Sequence, residues 1–385
     1  MEASLKMPIA RTIFQEEHEM FRSTVRKFME AEVVPNMECW MEQGYVDRDI
    51  WLKAGRVGLL CATVPEKYGG SGVDRKYSAI LIEEQQRANS VGPGFAMHSE
   101  IVAAYINRLG TQDQKSTWLP KMARGEVIGS LAMTEPGGGS DLKQIKTRAI
   151  IDGDELIING SKTFITNSYL TDLTILAVKT DATAGAKGIS LVLVEADREG
   201  FAKGSILNKV GQKAQDTGEL FFDNVRVPLT NLLGKPGEGF KYMMQELAWE
   251  RLIIAIRSVM GAEVAIQHTI DYVKNRQVFN SSLIEFQNTK FKLAECKSEA
   301  QIARVYIDNC IELLTKNELD AEASAIAKWW CTELQNRVLD TCVQLHGGYG
   351  YILDTPIARA WVDARAQMIY GGTNEIMKEI IGRNL

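Results

Sequence analysis

Apolar and polar positions follow three different rhythms along the chain. From residue 12 to about 128, apolar residues recur at helical spacing, broken by loops such as "PEKYGGSG" (Pro65 to Gly72), which predicts helices. From about 129 to 235 the rhythm shortens to β-branched runs, "LIING", "TILAVKT", "ISLVLVE" and "ELFFDNVRVP". These predict strands, with Asn159-Gly160 as a hairpin turn because that dipeptide readily takes the positive φ pair such turns need. From about 236 onward, three proline-free segments run over Phe240 to Lys274, Ile284 to Lys316 and Asp320 to Leu345. Their lengths suit an antiparallel helix bundle. No repeat and no low-complexity tract interrupts this order of helical, β-rich and helical thirds.

Composition narrows the function classes. With 385 residues, 45% hydrophobic and 24% charged, the chain is long enough for two or three packed units and resembles neither a disordered nor a membrane-embedded sequence. A formal charge of −5 leaves no basic surplus, so nucleic acid is not an expected partner. Cys39, Cys61, Cys296, Cys310, Cys331 and Cys342 show no CxxC spacing and read as reduced core thiols. The four histidines, His18, His98, His268 and His346, show no ligand spacing, so no metal is expected. Acidic Glu16, Glu17 and Glu19 and the lack of an uninterrupted apolar leader argue against a retained targeting peptide. No apolar run reaches the roughly 18 residues of a membrane span. The expected location is the bacterial cytoplasm, or the mitochondrial matrix if a presequence has been removed.

The most informative local stretch is "LAMTEPGGGSDL", Leu131 to Leu142. Its three glycines permit close backbone approach, and Thr134 and Ser140 supply hydroxyls for a planar heterocycle or a phosphate. Taken alone, a glycine cluster is a surface turn, and no GxGxxG opens a βαβ unit here. A second feature lies in "WERL", where Glu250 shares a helix face with Leu247, Ile253 and Ile254. A carboxylate on so apolar a face is desolvated, which can raise its pKa by up to roughly 3 to 5 units.

With "NGSKTFITN", "DNVRVP", "QLHGGYGY" and "YGGTNEI" added to the glycine stretch, the chain resembles the acyl-CoA dehydrogenase family over nearly its whole length. The strings "ELAWER" and "IYGGTNEIMKEI" are most similar to its long-chain branch. The resemblance implies a multidomain α and β fold: an N-terminal helical domain (1–128), a middle β-barrel-like domain (129–235) and a C-terminal four-helix bundle (236–385). It implies FAD as cofactor, contacted by Leu131, Thr134, Gly139, Ser140, Phe164 and Thr166. Members of the family are commonly homotetramers, dimers of dimers, in which Arg276, Phe279 and Gln287 would reach a neighbour's FAD together with Gln344, Gly347 and Gly348. Thr373 and Glu375 would close the cofactor site. Ser140, Tyr242, Arg251, Tyr370, Gly371 and Gly372 would contact the acyl-CoA. Asn280 departs from the glycine that usually follows this phenylalanine, leaving the local backbone open.

The implied reaction is FAD-dependent α,β-dehydrogenation of acyl-CoA to trans-2-enoyl-CoA in fatty-acid β-oxidation, with an electron transfer flavoprotein as acceptor. It needs a base for a weak carbon acid. Most of the family carries a glutamate directly after the tyrosine of the last glycine motif, but that position here is Gly371. The long-chain and isovaleryl branches place it on a bundle helix before an arginine, which assigns the role to Glu250. Gly371 then leaves room, and the resemblance implies that the thioester carbonyl is held by a flavin ribityl hydroxyl and a backbone N–H near Gly371. A structural ion pair is the competing role for Glu250, although Arg251 points about 100° away on a helix. Three other functions stay open: a flavin oxidase of the same fold, a dehydrogenase of carrier-protein thioesters, and a non-catalytic flavin-bearing binding protein. Ala248 replaces a proline frequent in the long-chain branch, which leaves acyl length open.

Overall fold

The computed structural model describes residues 5–383 and Leu385. Its first third is helical: α1 (Glu16–Phe28), α2 (Met37–Gln43), α3 (Asp49–Arg56), α4 (Arg75–Arg87), α5 (Ala103–Leu109) and α6 (Gln112–Ala123). Asp74 caps α4 by accepting from Lys76 N, and Thr111 with Gln114 forms a reciprocal capping box at the start of α6. A π-helical stretch, Met97–Val102, runs directly into α5.

The strands follow: β1 (Gly129–Ala132), β2 (Arg148–Asp152), β3 (Glu155–Ile165), β4 (Leu173–Lys179), β5 (Ile189–Glu195), β6 (Phe201–Ile206), β7 (Gly218–Pro228) and β8 (Leu232–Leu233). Their order is β6-β7-β3-β2-β4-β5-β8, with β1 joining β4 in parallel. Side chains on β4 divide by alternation: Leu173, Ile175 and Ala177 enter the main core shared with the helices, whereas Leu176 and Val178 enter a smaller core within the sheet. The strand is therefore buried on both faces and reads as a continuous apolar run.

Two sequence expectations need correction. Asn159 and Gly160 lie inside β3, at a register shift against β7, and the β2–β3 turn is made instead at Gly153, φ +63°. Gly160 is there for close approach, because a Cβ would come within 2.4 Å of Thr147 Oγ1. Asn159 is engaged sideways, its Oδ1 accepting from Asn224 N at 3.0 Å. Cys39 is not a core thiol: it lies exposed on α2, while the other five cysteines are buried.

The last third comprises α7 (Gly239–Asn275), the hairpin of β9 (Gln277–Val278) and β10 (Ser281–Ser282), α8 (Gln287–Thr315), α9 (Ala321–His346), α10 (Pro356–Ala364) and α11 (Asn374–Gly382). Helices α7, α8 and α9 pack on one another and α11 packs on α9. Among the described residues only α7 has the length and hydropathy of a membrane span, and 67% of its most apolar window is buried inside the protein, as in a core helix. The other face of α7 meets α4. Nearby, Glu83 of α4 binds three guanidiniums: Arg11 at 2.9 Å, Arg22 of α1 at 2.8 Å and Arg304 of α8 at 2.6 Å. That cluster ties the N-terminal helices to the bundle.

Candidate active site

Glu250 sits on α7, one third of the way along the helix, with only 8% of its surface exposed. Ile253 and Ile254 are buried on the same side. Its hydrogen bond comes from α5, where the Tyr105 hydroxyl donates to Oε1 at 3.3 Å. One turn earlier on α7, Glu246 is ion-paired with Arg108 at 2.8 Å and faces Arg75 at 3.9 Å. Burial pushes the Glu250 carboxyl up and the Glu246 charge adds to it. The Tyr105 bond and Arg251 oppose them, and the outcome lies at about 7. Glu250 has no ion-pair partner among the described residues, Arg251 included.

The Tyr370–Thr373 segment packs over this part of α7. Gly371 has φ +66° and Gly372 φ +88°, and a Cβ on Gly371 would lie 2.4 Å from Ile254 Cδ1. Ile254 is one turn from Glu250, so positions 250 and 371 are neighbours in space. Lys328 of α9, fully buried, holds the turn by donating to the Gly372 carbonyl at 2.7 Å and to Asn374 Oδ1 at 2.9 Å. Burial, helped by Arg251, pulls the Lys328 ammonium down to about 8. Thr373 caps α11 by accepting from Ile376 N, and Glu375 is exposed in the first turn of that helix. Among the described residues the buried Tyr370 hydroxyl and Arg251 Nε have no hydrogen-bond partner. Buried polar atoms left unpaired are costly, and here both flank the turn above Glu250, as expected of a site that takes a polar ligand.

A second set of residues gathers on the sheet. Leu131 ends buried in β1, and the loop after it is pinned by Glu135, which accepts from Lys146 N, Thr147 N and Lys162 Nζ. Thr134 O accepts from Thr163 N at 3.0 Å, which brings the glycine loop beside Phe164 and Thr166. Above the loop there is space: a Cβ on Gly137 would meet nothing within 4 Å, and one on Gly139 only Thr134 Cγ2 at 3.8 Å. Phe164 is 66% exposed at φ +59°, a backbone state that costs a bulky residue about 1 kcal/mol or more. Ser140 is exposed at the end of the same loop. An open glycine cradle beside a strained, exposed aromatic fits a planar aromatic cofactor such as a flavin.

A third set lies beyond the far end of α7. Arg276, Gln344, Gly347 and Gly348 line a cavity of about 630 Å³ with Tyr272 and His346. Phe279 stands at the tip of the β9–β10 hairpin, 94% exposed, and Gln287 is exposed at the start of α8; neither lines that cavity. Asn280 settles the backbone question, since Phe279 (φ +48°) and Asn280 (φ +65°) form a two-residue turn whose second position asparagine tolerates. Tyr242 is buried under Gly234, its hydroxyl accepting from Lys235 N at 3.1 Å.

Family models for the N-terminal, middle and C-terminal domains of acyl-CoA dehydrogenase match residues 15–126, 130–225 and 237–385 in that order. The chain belongs to the acyl-CoA dehydrogenase family. Its fold is the three-domain fold of that family, and the family's members are flavoprotein oxidoreductases of fatty-acid metabolism. It is 48% identical over 377 residues to the mitochondrial long-chain specific acyl-CoA dehydrogenase of Sus scrofa, covering 97% of this chain and 88% of that protein. The crystal structure of an acyl-CoA dehydrogenase from Geobacillus kaustophilus superposes with a TM-score of 0.96 at 46% identity, over 97% of this chain and 99% of that one. A glutaryl-CoA dehydrogenase from Mycobacterium smegmatis in complex with FADH2 gives 0.91 at 28% identity, over 97% and 95%. Among the described residues no helix other than the mostly buried core helix α7 is long and apolar enough to cross a membrane.

Sequence reasoning missed four residues around Glu250. Tyr105, Arg108 and Lys328 belong to no motif and arrive through tertiary contacts. Glu246 was open to detection, because a position four residues before Glu250 shares its helix face.

Proposed function

We propose that this chain desaturates acyl-CoA thioesters between the α and β carbons, with FAD as cofactor and Glu250 as the base that takes the α proton. The observation that carries the base assignment is the buried Glu250 carboxyl, without an ion-pair partner among the described residues and one helical turn from Ile254, against which Gly371 packs. A base with proton affinity near the working pH is partly in its reactive carboxylate form and still strong enough to pull on a weak carbon acid. When bound, the flavin supplies the acceptor for the β hydride. Leu131, Thr134, Gly139, Ser140, Phe164 and Thr166 would hold its ring side, and Thr373 and Glu375 would close that site.

The chain's own residues divide the remaining work. The α C–H bond breaks as its proton passes to a Glu250 oxygen. The Gly371 N–H, presented by a turn that Lys328 holds from below, would donate to the thioester oxygen and make the α proton more acidic. Tyr370, Gly372, Arg251 and Ser140 would line the thioester's path, and Tyr242 supports the wall behind it. Apolar Ile253 and Ile254 exclude water from the proton transfer.

Arg276 follows Glu250 by 26 helical or near-helical positions, roughly 40 Å at 1.5 Å per residue. A single dinucleotide does not span that distance. This supports a homo-oligomer, by resemblance a tetramer, in which Arg276, Phe279, Gln287, Gln344, Gly347 and Gly348 serve the FAD of a neighbouring copy. An electron transfer flavoprotein is the proposed acceptor. The test is anaerobic mixing with a panel of acyl-CoA thioesters, read by flavin absorbance. Wild type should bleach with at least one chain length, whereas Glu250→Gln should stay yellow; bleaching by the variant at a near-normal rate would remove Glu250 from its role. Oxygen-driven turnover with peroxide release would favour an oxidase instead.

A further inference from the structure

Glu250 is faced by groups from several elements. On α7 itself lie Glu246, one turn earlier, and Arg251, whose Nε has no partner among the described residues. Helix α5 contributes Tyr105, fully buried, with its hydroxyl 3.3 Å from Glu250 Oε1, and Arg108, which grips Glu246 at 2.8 Å. Arg75 of α4 stands 3.9 Å from Glu246, its guanidinium lying over the Trp249 ring at 4.9 Å. Lys328 of α9 is committed to the Gly372 carbonyl and Asn374. The Tyr370–Thr373 turn brings two glycines and a phenol, but no charge.

Two of these groups act on Glu250 in opposite senses. Carboxylates four residues apart on a helix are surface neighbours, and like charge beside a buried acid favours its neutral form. A phenol O–H donated to a carboxylate favours the ionised form. We propose that Glu246 and Tyr105 are a matched pair of positioning residues for Glu250, one favouring the proton-bearing base and the other the proton-accepting one. Arg108 is the third member: by pairing with Glu246 it moderates that residue's repulsion and links the buried pair to the surface, its own side chain being 37% exposed. The reaction uses Glu250 in both states, as carboxylate before the α proton moves and as neutral acid afterwards. Opposed neighbours hold those states close in free energy, and the upward shift of Glu250 agrees with burial, and after it Glu246, outweighing Tyr105 and Arg251. The inference rests on Glu250 being the base.

The experiment is an infrared titration of the holoenzyme's carboxylic C=O band, assigned by its loss in Glu250→Gln, alongside the pH dependence of kcat/KM. Glu246→Gln is expected to move the midpoint and the acid limb of the rate profile down by about one pH unit, and Tyr105→Phe to move both up. Arg108→Gln, at a partly exposed residue, should also move them up, and it keeps the test available if Glu246→Gln does not fold. Glu246→Asp, which retains the charge, should stay near wild type. Midpoints that stay in place, or that move in the same direction in Glu246→Gln and Tyr105→Phe, overturn the pairing. If Glu250→Gln itself keeps the band and the activity, the base assignment fails; if only the other variants fail to shift, the base stands and the pairing falls.

Discussion

Glu83 and Glu250 are both buried glutamates on neighbouring helices, α4 and α7, and they have been driven in opposite directions. Burial alone would push either carboxyl up. Around Glu83, Arg11, Arg304 and Arg22 more than reverse that push and hold it well below the ordinary carboxylate range. Around Glu250 the nearest charged neighbour on its own face is Glu246, and only a phenol hydrogen bond and Arg251 work against burial. The lesson is that burial sets the stakes and partners set the sign. A carboxylate closed in by three guanidiniums is a tie between domains, whereas one left with a phenol and a like charge is available to take a proton.

The comparison breaks most visibly by neutralising each residue. Glu83→Gln removes the carboxylate that Arg11, Arg22 and Arg304 share, each arginine keeping another partner (Asp308, Glu84 and Glu263), and a loss of about 1 to 3 kcal/mol is expected in urea unfolding. Glu250→Gln should do the reverse at pH 8, adding about 1 to 3 kcal/mol, because a raised carboxylate pKa means ionisation is penalised only in the folded state. The pH dependence sharpens the contrast. The Glu83 contribution is present above the unfolded carboxylate range near 4.3 and disappears as pH falls towards its depressed folded value. The Glu250 penalty is absent below about 4.3 and grows as pH rises towards its folded value of about 7. Stability curves of wild type and each variant between pH 3 and 8 check both signs.

Smaller effects test the Gly371 turn. Lys328→Met removes two hydrogen bonds, to Gly372 O and Asn374 Oδ1, and should lower kcat more than it raises KM, by about 1 to 3 kcal/mol in barrier. The smallest expected recovery is from moving the carboxylate: Glu250→Gly with Gly371→Glu should regain part of the lost activity. A side chain at 371 meets Ile254 Cδ1 and must adopt φ +66°, so adding Ile254→Val should improve the swapped enzyme. No gain in a folded, flavin-bound swap would argue against the two positions sharing one site.

Periodicity carried most of the architecture, because long amphipathic or fully buried segments announce their element type, and α7 and α9 begin and end within one residue of the expected limits. It failed at Asn159-Gly160, where a favourable turn pair is used instead for a sideways Asn224 contact and a close strand approach. The apolar face around Glu250 was legible as spacing within one helix. Tyr105 and Lys328 were not, since they reach the site from 145 and 44 residues away from their partners Glu250 and Gly372. The charged neighbour Glu246 stood in plain view one turn away, but its orientation depends on Arg108.

The most direct measurement is the anaerobic rate of flavin bleaching by a saturating acyl-CoA in stopped flow, followed from pH 5.5 to 9. A base that must be ionised predicts a rate that climbs with pH through an apparent pKa of about 7, and loss of that whole pH-dependent phase in Glu250→Gln. A flat profile, or one retained unchanged in the Glu250→Gln enzyme, would contradict it.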